Sequence, residues 1–195
     1  MNVLVAYATR HGATRGIAER IAETLRRDGL EAVLRPVERA GSVDAYDAVV
    51  IGGAAYMFHW MKEATAFVKR HHSVLAARPV WLFSSGPTGT AASEEQRQEA
   101  LATSIPREFP ELAAALHPRD QKVFYGAYDP DAAPIGIAEG FFARLTSRFP
   151  TIKEGIPAGD FRDWPEIEAW AEGIARELQP VGATATADRG PKLDA

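Results

Sequence analysis

The chain has no cysteine among its 195 residues. That excludes disulfide staples, thiol nucleophiles and thiolate-held metal or iron–sulfur clusters. Positive charge is not in surplus either. The formal net charge is −4, so bulk attraction to nucleic acid is not expected. No stretch approaches the ~20 apolar residues of a membrane span. The short apolar start at Val3 lacks a basic flank and meets Thr9 and Arg10 within a few residues, unlike a secretory signal. The expected location is cytoplasmic, with peripheral membrane contact open. Two phosphate-loop signatures are also missing. No G-x-G-x-x-G follows the first apolar run, and there is no G-x-x-x-x-G-K-[ST], so neither a dinucleotide fingerprint nor nucleotide hydrolysis is expected. Neither a protein nucleophile nor a metal site is expected.

What is present is an ordinary globular composition, 46% hydrophobic and 25% charged, long enough for one domain with a sizeable core. Short apolar runs alternate with helical patterns. Val3–Tyr7, Glu31–Arg35, Ala48–Ile51, Val80–Phe83 and Val123–Ala127 read as strands. The third ends at Gly52-Gly53 and the fourth at Ser84-Ser85-Gly86-Pro87. Ala13–Arg27 reads as a helix, with Ile17, Ile21 and Leu25 at every fourth position and Asp28-Gly29 as its stop. Lys62–Ala77, Glu94–Thr103, Pro110–Leu116, Ile137–Arg148 and Trp164–Leu178 follow as helices. The alternation predicts βαβ units: one doubly wound α/β domain over residues 1–179, a parallel sheet with helices on both faces. Residues 180–195, rich in Ala, Gly, Pro and Asp, are expected to form a disordered tail.

Such sheets bind ligands beyond the carboxyl ends of their strands. Those ends carry small or polar residues here. After the first strand stands Thr9-Arg10-His11-Gly12-Ala13-Thr14, then a helix. A helix start offers unpaired amides and partial positive charge, and Gly12 lets a ligand approach the backbone, which suits a phosphate. The alternative is that Thr9 or Thr14 merely caps the helix. After the third strand, Ala54-Ala55-Tyr56-Met57-Phe58-His59-Trp60 is dense in aromatics. Phe58 and Trp60 can instead start a helix and face the core, and His59 can be an ordinary loop histidine. Ser84 to Thr90 offers hydroxyls, Gly86 and Gly89, with no aromatic and no acid. Tyr128-Asp129 is either a site edge or a plain turn before Pro130-Asp131.

The T-x-x-G-x-T pattern from Thr9 to Thr14 resembles the FMN phosphate loop of flavodoxins. Gly52-Gly53-Ala54-Ala55-Tyr56 and Ser84-Ser85-Gly86-Pro87 fall where flavodoxins place their two flavin-ring loops. The resemblance runs from Met1 to about Leu178. It implies a five-stranded parallel sheet of order 2-1-3-4-5 and FMN as cofactor. The phosphate would sit on the amides of Arg10, His11, Gly12, Ala13 and Thr14, with the Thr9 and Thr14 hydroxyls beside it. Arg10 and His11 depart from the usual neutral loop; either partly neutralises the phosphate or faces a substrate, and Arg10 can also be simply solvated. Ala54, Ala55, Tyr56 and Trp60 would serve one ring loop, Tyr56 first and Trp60 second as stacking partners. Ser84, Ser85, Gly86 and Pro87 would serve the other. A third loop without aromatic or acid leaves one face or edge of the ring less covered, open to an organic hydride donor or a quinone. That favours an oxidoreductase over a pure electron carrier. His59 and Tyr128 are the candidate catalytic groups.

Within flavodoxins the chain is most similar to the menaquinone-dependent protoporphyrinogen dehydrogenase branch, through Thr9–Thr14, Tyr56, Gly126-Ala127 and Asp163-Trp164. That branch carries basic segments around its fifth strand. Here Glu94, Glu95, Glu99, Glu108, Glu111 and Asp120 outnumber Arg97, Arg107, Arg119 and Lys122, and residues 134–150 offer little beyond Arg144 and Arg148. Neither segment reads as an electrostatic membrane anchor. The expected partner is a redox protein or a small molecule, with quinone and porphyrinogen both open. Two other classes stay in view. A flavin-free interaction module on the same fold is one. A quinone or flavin reductase using NAD(P)H is the other. A phosphoacceptor receiver is excluded, because Ala6-Tyr7-Ala8 and Gly52-Gly53-Ala54 stand where it needs acids.

Overall fold

The computed structural model describes residues 1–129 and 157–179. The helix expected at 137–148, the segment 134–150 and the tail at 180–195 lie outside the described residues.

In chain order the elements begin with β1 (Asn2–Ala8), α1 (Ala13–Arg27), β2 (Glu31–Pro36), β3 (Ala48–Tyr56), β4 (His59–Trp60), α2 (Lys62–Arg70) and α3 (His72–Leu75). They continue with β5 (Val80–Ser85), α4 (Glu94–Thr103), α5 (Phe109–Leu116), β6 (Asp120–Phe124), β7 (Ala127–Tyr128), β8 (Gly159–Asp160) and α6 (Trp164–Leu178). The central strands read as unbroken apolar runs because both of their faces are covered. Side chains alternate between the two faces and so sort into two cores. Val3, Val5, Tyr7, Val50, Trp81 and Phe83 meet Ile17, Ile21 and Leu25 of α1 and Ile167, Ala171 and Ile174 of α6. Leu4, Ala6, Val49, Ile51, Val80 and Leu82 meet Ala64, Phe67 and Val68 of α2 and Phe109, Leu112 and Leu116 of α5. At roughly 1.5–3 kcal/mol per large side chain buried, these layers dominate the stability. The Arg27–Glu172 ion pair at the α1–α6 seam (2.9 Å) is exposed and adds little.

The parallel order is β2-β1-β3-β5-β6, with β4 folded back antiparallel on β3. Leaving aside the two-residue β4, this is the expected 2-1-3-4-5 order. The chain reverses direction across the sheet between β1 and β3, which places a crevice at their carboxyl ends.

Four details differ from the sequence reading. β3 does not end at Gly52-Gly53; it runs on to Tyr56. The glycines are packing residues: a Cβ at Gly52 would lie 1.9 Å from Phe83 Cζ, and one at Gly53 would lie 2.6 Å from Trp60 Nε1. β5 includes Ser84 and Ser85, which still pair with β3 and β6. The helix expected over Lys62–Ala77 breaks at His71 (φ −107°, ψ 16°), whose ring packs on Phe67 at 4.8 Å. The fifth parallel strand spans Asp120–Phe124 rather than Val123–Ala127. Beyond it Gly126 N–H turns to the Pro87 carbonyl (2.8 Å), and Ala127–Tyr128 pairs instead with Gly159–Asp160.

Candidate functional site

The loop after β1 is shaped by its own residues. Gly12 is the N-cap of α1 and adopts φ +85°, a left-handed conformation that glycine takes without strain. The Thr9 hydroxyl accepts the Gly12 N–H (3.1 Å) and so folds the loop rather than capping the helix. Thr14 is fully buried and its hydroxyl pairs with that of Ser85 at 2.7 Å, tying the first turn of α1 to the end of β5. Among the described residues no side chain caps α1, and its first turn holds no acid. The amide end therefore keeps its donors and its positive potential. A Cβ built at Gly12 would meet nothing within 4 Å, so the approach to those amides is open. This arrangement fits a phosphate.

The second loop is a two-residue hairpin. Tyr56 pairs with His59 and Ala55 with Trp60. Met57 (φ 49°) and Phe58 (φ 66°) supply the two positive φ values of a type I′ turn, although neither is glycine or asparagine. Tyr56, Met57 and Phe58 are exposed, Phe58 at 54%, so Phe58 does not face the core. Trp60 does: it is 3% exposed, sits edge-on to Phe109 (5.4 Å), and its indole N–H reaches the carbonyls of Gly53 (3.1 Å) and Phe83 (3.3 Å). Trp60 is thus a floor beneath the hairpin. Ala54 is buried beside it and Ala55 half-buried. The Arg10 guanidinium lies over the Tyr56 ring, 5.1 Å from its centroid, and joins the first loop to the second. His11 is exposed.

Two oxygens of Glu108 grip the hairpin. One meets His59 Nδ1 (2.8 Å) and the other accepts the Trp60 amide (2.9 Å). Burial pushes the Glu108 carboxyl up, but the bonds from Trp60 and His59 outweigh it and hold it below its ordinary value.

In the third loop Gly86 and Pro87 are half-buried. Gly86 N–H bonds the Phe124 carbonyl (3.0 Å). Ser84 Oγ is buried at the end of β5 with no hydrogen-bond partner among the described residues. Tyr128 is half-buried in the β7–β8 ribbon and Asp129 is exposed. That ribbon brings in Arg162, which the sequence reading missed. Arg162 is held by Asp160 (2.6 and 2.7 Å), lies over Trp164 (4.4 Å), and donates to the Ala13 carbonyl in the first turn of α1 (3.3 Å). A Cβ at Gly16 would collide with its guanidinium at 2.3 Å, so the glycine four residues after Gly12 was the available signal. The Arg162 bonds also hold the Asp160 carboxyl below its ordinary value. Asp163 caps α6 by accepting the Glu166 N–H (3.0 Å), which gives the Asp163-Trp164 pair its structural meaning. Among the described residues no group of three or more His, Asp and Glu is placed to hold a metal ion, and no helix is long and apolar enough to cross a membrane.

Comparison with known proteins identifies the fold and the family. A flavodoxin domain model matches residues 4–132. The protoporphyrinogen IX dehydrogenase [quinone] of Escherichia coli (strain K12) is 30% identical over 111 residues, covering 56% of this chain and 60% of that protein. The match therefore spans less than two thirds of that relative's length. A flavodoxin from the domain Archaea superposes with a TM-score of 0.53 at 13% identity, covering 91% of this chain and 98% of that one. Rubredoxin oxygen:oxidoreductase from the anaerobe Desulfovibrio gigas superposes with a TM-score of 0.55 at 14% identity, over 91% of this chain and 36% of that one. At such identities these two structures speak for the fold alone.

Proposed function

The chain belongs to the flavodoxin domain family, whose cofactor is FMN, and from that premise we propose that it is an FMN-dependent oxidoreductase passing electrons between a reduced donor and a small oxidant of the quinone class. When bound, the flavin supplies one- and two-electron transfer. The chain's own residues bind, orient and tune. The amides opening α1 hold the phosphate, with Gly12 giving them access and Thr9 holding the loop's shape. Tyr56, with Arg10 lying on it, lines one side of the ring, and Gly86 and Pro87 line the other. His59 engages Glu108 through Nδ1 and keeps Nε2 for proton exchange; Tyr128 is the second group able to exchange a proton at the ring's edge.

The observation that carries this reading is the uncapped, acid-free start of α1 beside an aromatic hairpin, at the carboxyl edge where the strand order reverses. The absence of aromatic and acidic residues from Ser84 to Thr90 supports an oxidoreductase over a carrier. A bare ring edge admits an organic oxidant, and no acid there opposes negative charge on the ring. Quinone and porphyrinogen are the substrates to try, since the Escherichia coli relative's name carries both. The test is reconstitution with FMN, followed by stopped-flow reduction of the bound flavin with protoporphyrinogen or another reduced donor, and reoxidation of the reduced flavin with a quinone panel. We expect a yellow protein whose reduced form is reoxidised by quinones within the assay. A protein that takes up no FMN is a flavin-free module, and one that loads FMN but ignores every organic oxidant is a carrier.

A further inference from the structure

The Tyr56–Trp60 hairpin has a conformation its own sequence disfavours. A two-residue turn with positive φ at both central positions belongs to glycine and asparagine; here bulky Met57 and Phe58 occupy both. Such a backbone persists only when its surroundings over-determine it. The surroundings are Arg107 and Glu108, remote in sequence, which grip three successive residues. Arg107 N–H bonds the Phe58 carbonyl (2.9 Å), Glu108 meets His59 Nδ1 (2.8 Å), and the other Glu108 oxygen accepts the Trp60 N–H (2.9 Å). The Glu108 side chain is only 23% exposed, so these charge-assisted bonds are partly shielded from water. Trp60 pins the far end of the hairpin to the carbonyls of Gly53 and Phe83. Tyr56 is paired to His59 across the turn, so the turn's shape sets where the Tyr56 ring stands and where Arg10 finds it.

We propose that Glu108 is a positioning residue for the flavin site: its carboxylate holds the strained Met57-Phe58 turn, and through it fixes Tyr56 against the ring. This rests on the FMN reading above. It makes Glu108 and His59 a clasp, so that His59 acts first on the turn's geometry and only then on protons.

The test compares the full-length wild type with Glu108→Ala, Glu108→Gln, and Glu108→Ala combined with Phe58→Gly. Two readouts are taken: hydrogen exchange at the Trp60 amide in the apoprotein, and FMN affinity by quenching of flavin fluorescence. Losing the clasp should speed Trp60 exchange and weaken FMN binding, each by on the order of tenfold, as expected for one charge-assisted hydrogen-bond acceptor. Gln is nearly isosteric and keeps an acceptor for the Trp60 amide, so it should fall between wild type and Ala; it serves as the test if the Ala variant does not fold. Glycine adopts positive φ freely, so Phe58→Gly should restore most of the affinity lost in Glu108→Ala. A merely structural contact would show no such rescue. Wild-type FMN affinity in Glu108→Ala or in Glu108→Gln, or no recovery with Phe58→Gly, overturns the assignment and leaves the FMN reading standing. A wild type that binds no FMN defeats that reading, and this assignment with it.

Discussion

The loop after β1 and the loop after β3 flank the same crevice, yet they are built on opposite principles. The first uses a glycine where the backbone needs φ +85°, a threonine that folds onto its own loop, and a helix end left uncapped. The turn itself is made by residues within Thr9–Thr14. The second puts methionine and phenylalanine where glycine is wanted, and its shape is imposed by Glu108, about fifty residues on. A loop for phosphate needs backbone donors and little else, and those are available at any well-made helix start. A loop for a ring needs bulky side chains at defined angles, and bulky side chains resist the tight turns that would aim them. The chain meets that conflict with contacts from elsewhere in the fold.

Several substitutions would break or sharpen this contrast. The largest effect is expected at the shared floor. Gly52→Val drives a side chain into Phe83, and should cost about 3 kcal/mol or more, since overpacking a filled core is among the severe changes. A urea unfolding midpoint checks it, and both loops should be lost together. Next is Gly12→Val. No atom lies within 4 Å of the new Cβ, so the apoprotein should lose only the ~1–2 kcal/mol of a β-branched residue held left-handed. FMN affinity should drop by more than that strain alone explains, because the added side chain fills the open space through which a phosphate would approach the start of α1. Unchanged affinity would remove this loop from the site.

A smaller effect of opposite sign is expected in the second loop. Phe58→Gly alone relieves backbone strain, offset in part by the freer unfolded chain, for a net gain of roughly 1 kcal/mol or less. Thermal melting of the apoprotein measures it; a clear loss would mean that the exposed ring has packing contacts worth more than the strain. The smallest effect is the pH dependence of the clasp. The Glu108 carboxyl is held below its ordinary value, so its contribution is present above the unfolded carboxylate's range. It is lost as pH falls through the depressed folded value. The stability difference between wild type and Glu108→Gln should therefore close on acidification, and a difference that stays constant down to acid pH argues against an ionised Glu108 in the clasp.

Much of this was legible from residues alone. The helix over Ala13–Arg27 was plain because its apolar positions recur at helical spacing and Asp28-Gly29 ends it. The parallel sheet was plain because its strands are buried on both faces and so written as unbroken apolar runs. Gly52-Gly53 misled, because a glycine pair marks a turn in one setting and a close approach in another. Only the position of Phe83 and Trp60 tells which applies. Trp60 was ambiguous for a related reason: an aromatic beside a loop can be a platform or a floor, and the indole bonds to Gly53 and Phe83 decide for the floor.

By itself, then, the order of residues determined the alternating layers and the turn at Gly12, because each depends on short-range periodicity, turn chemistry or a single permissive glycine; the strand order followed only from the resemblance to flavodoxins. Tertiary structure alone decided how the aromatic hairpin is held, where Arg10 rests, and that Arg162 reaches the start of α1. Those contacts join residues far apart in the chain, and no local pattern records which distant carboxylate or guanidinium the folded sheet will bring within a hydrogen bond's reach.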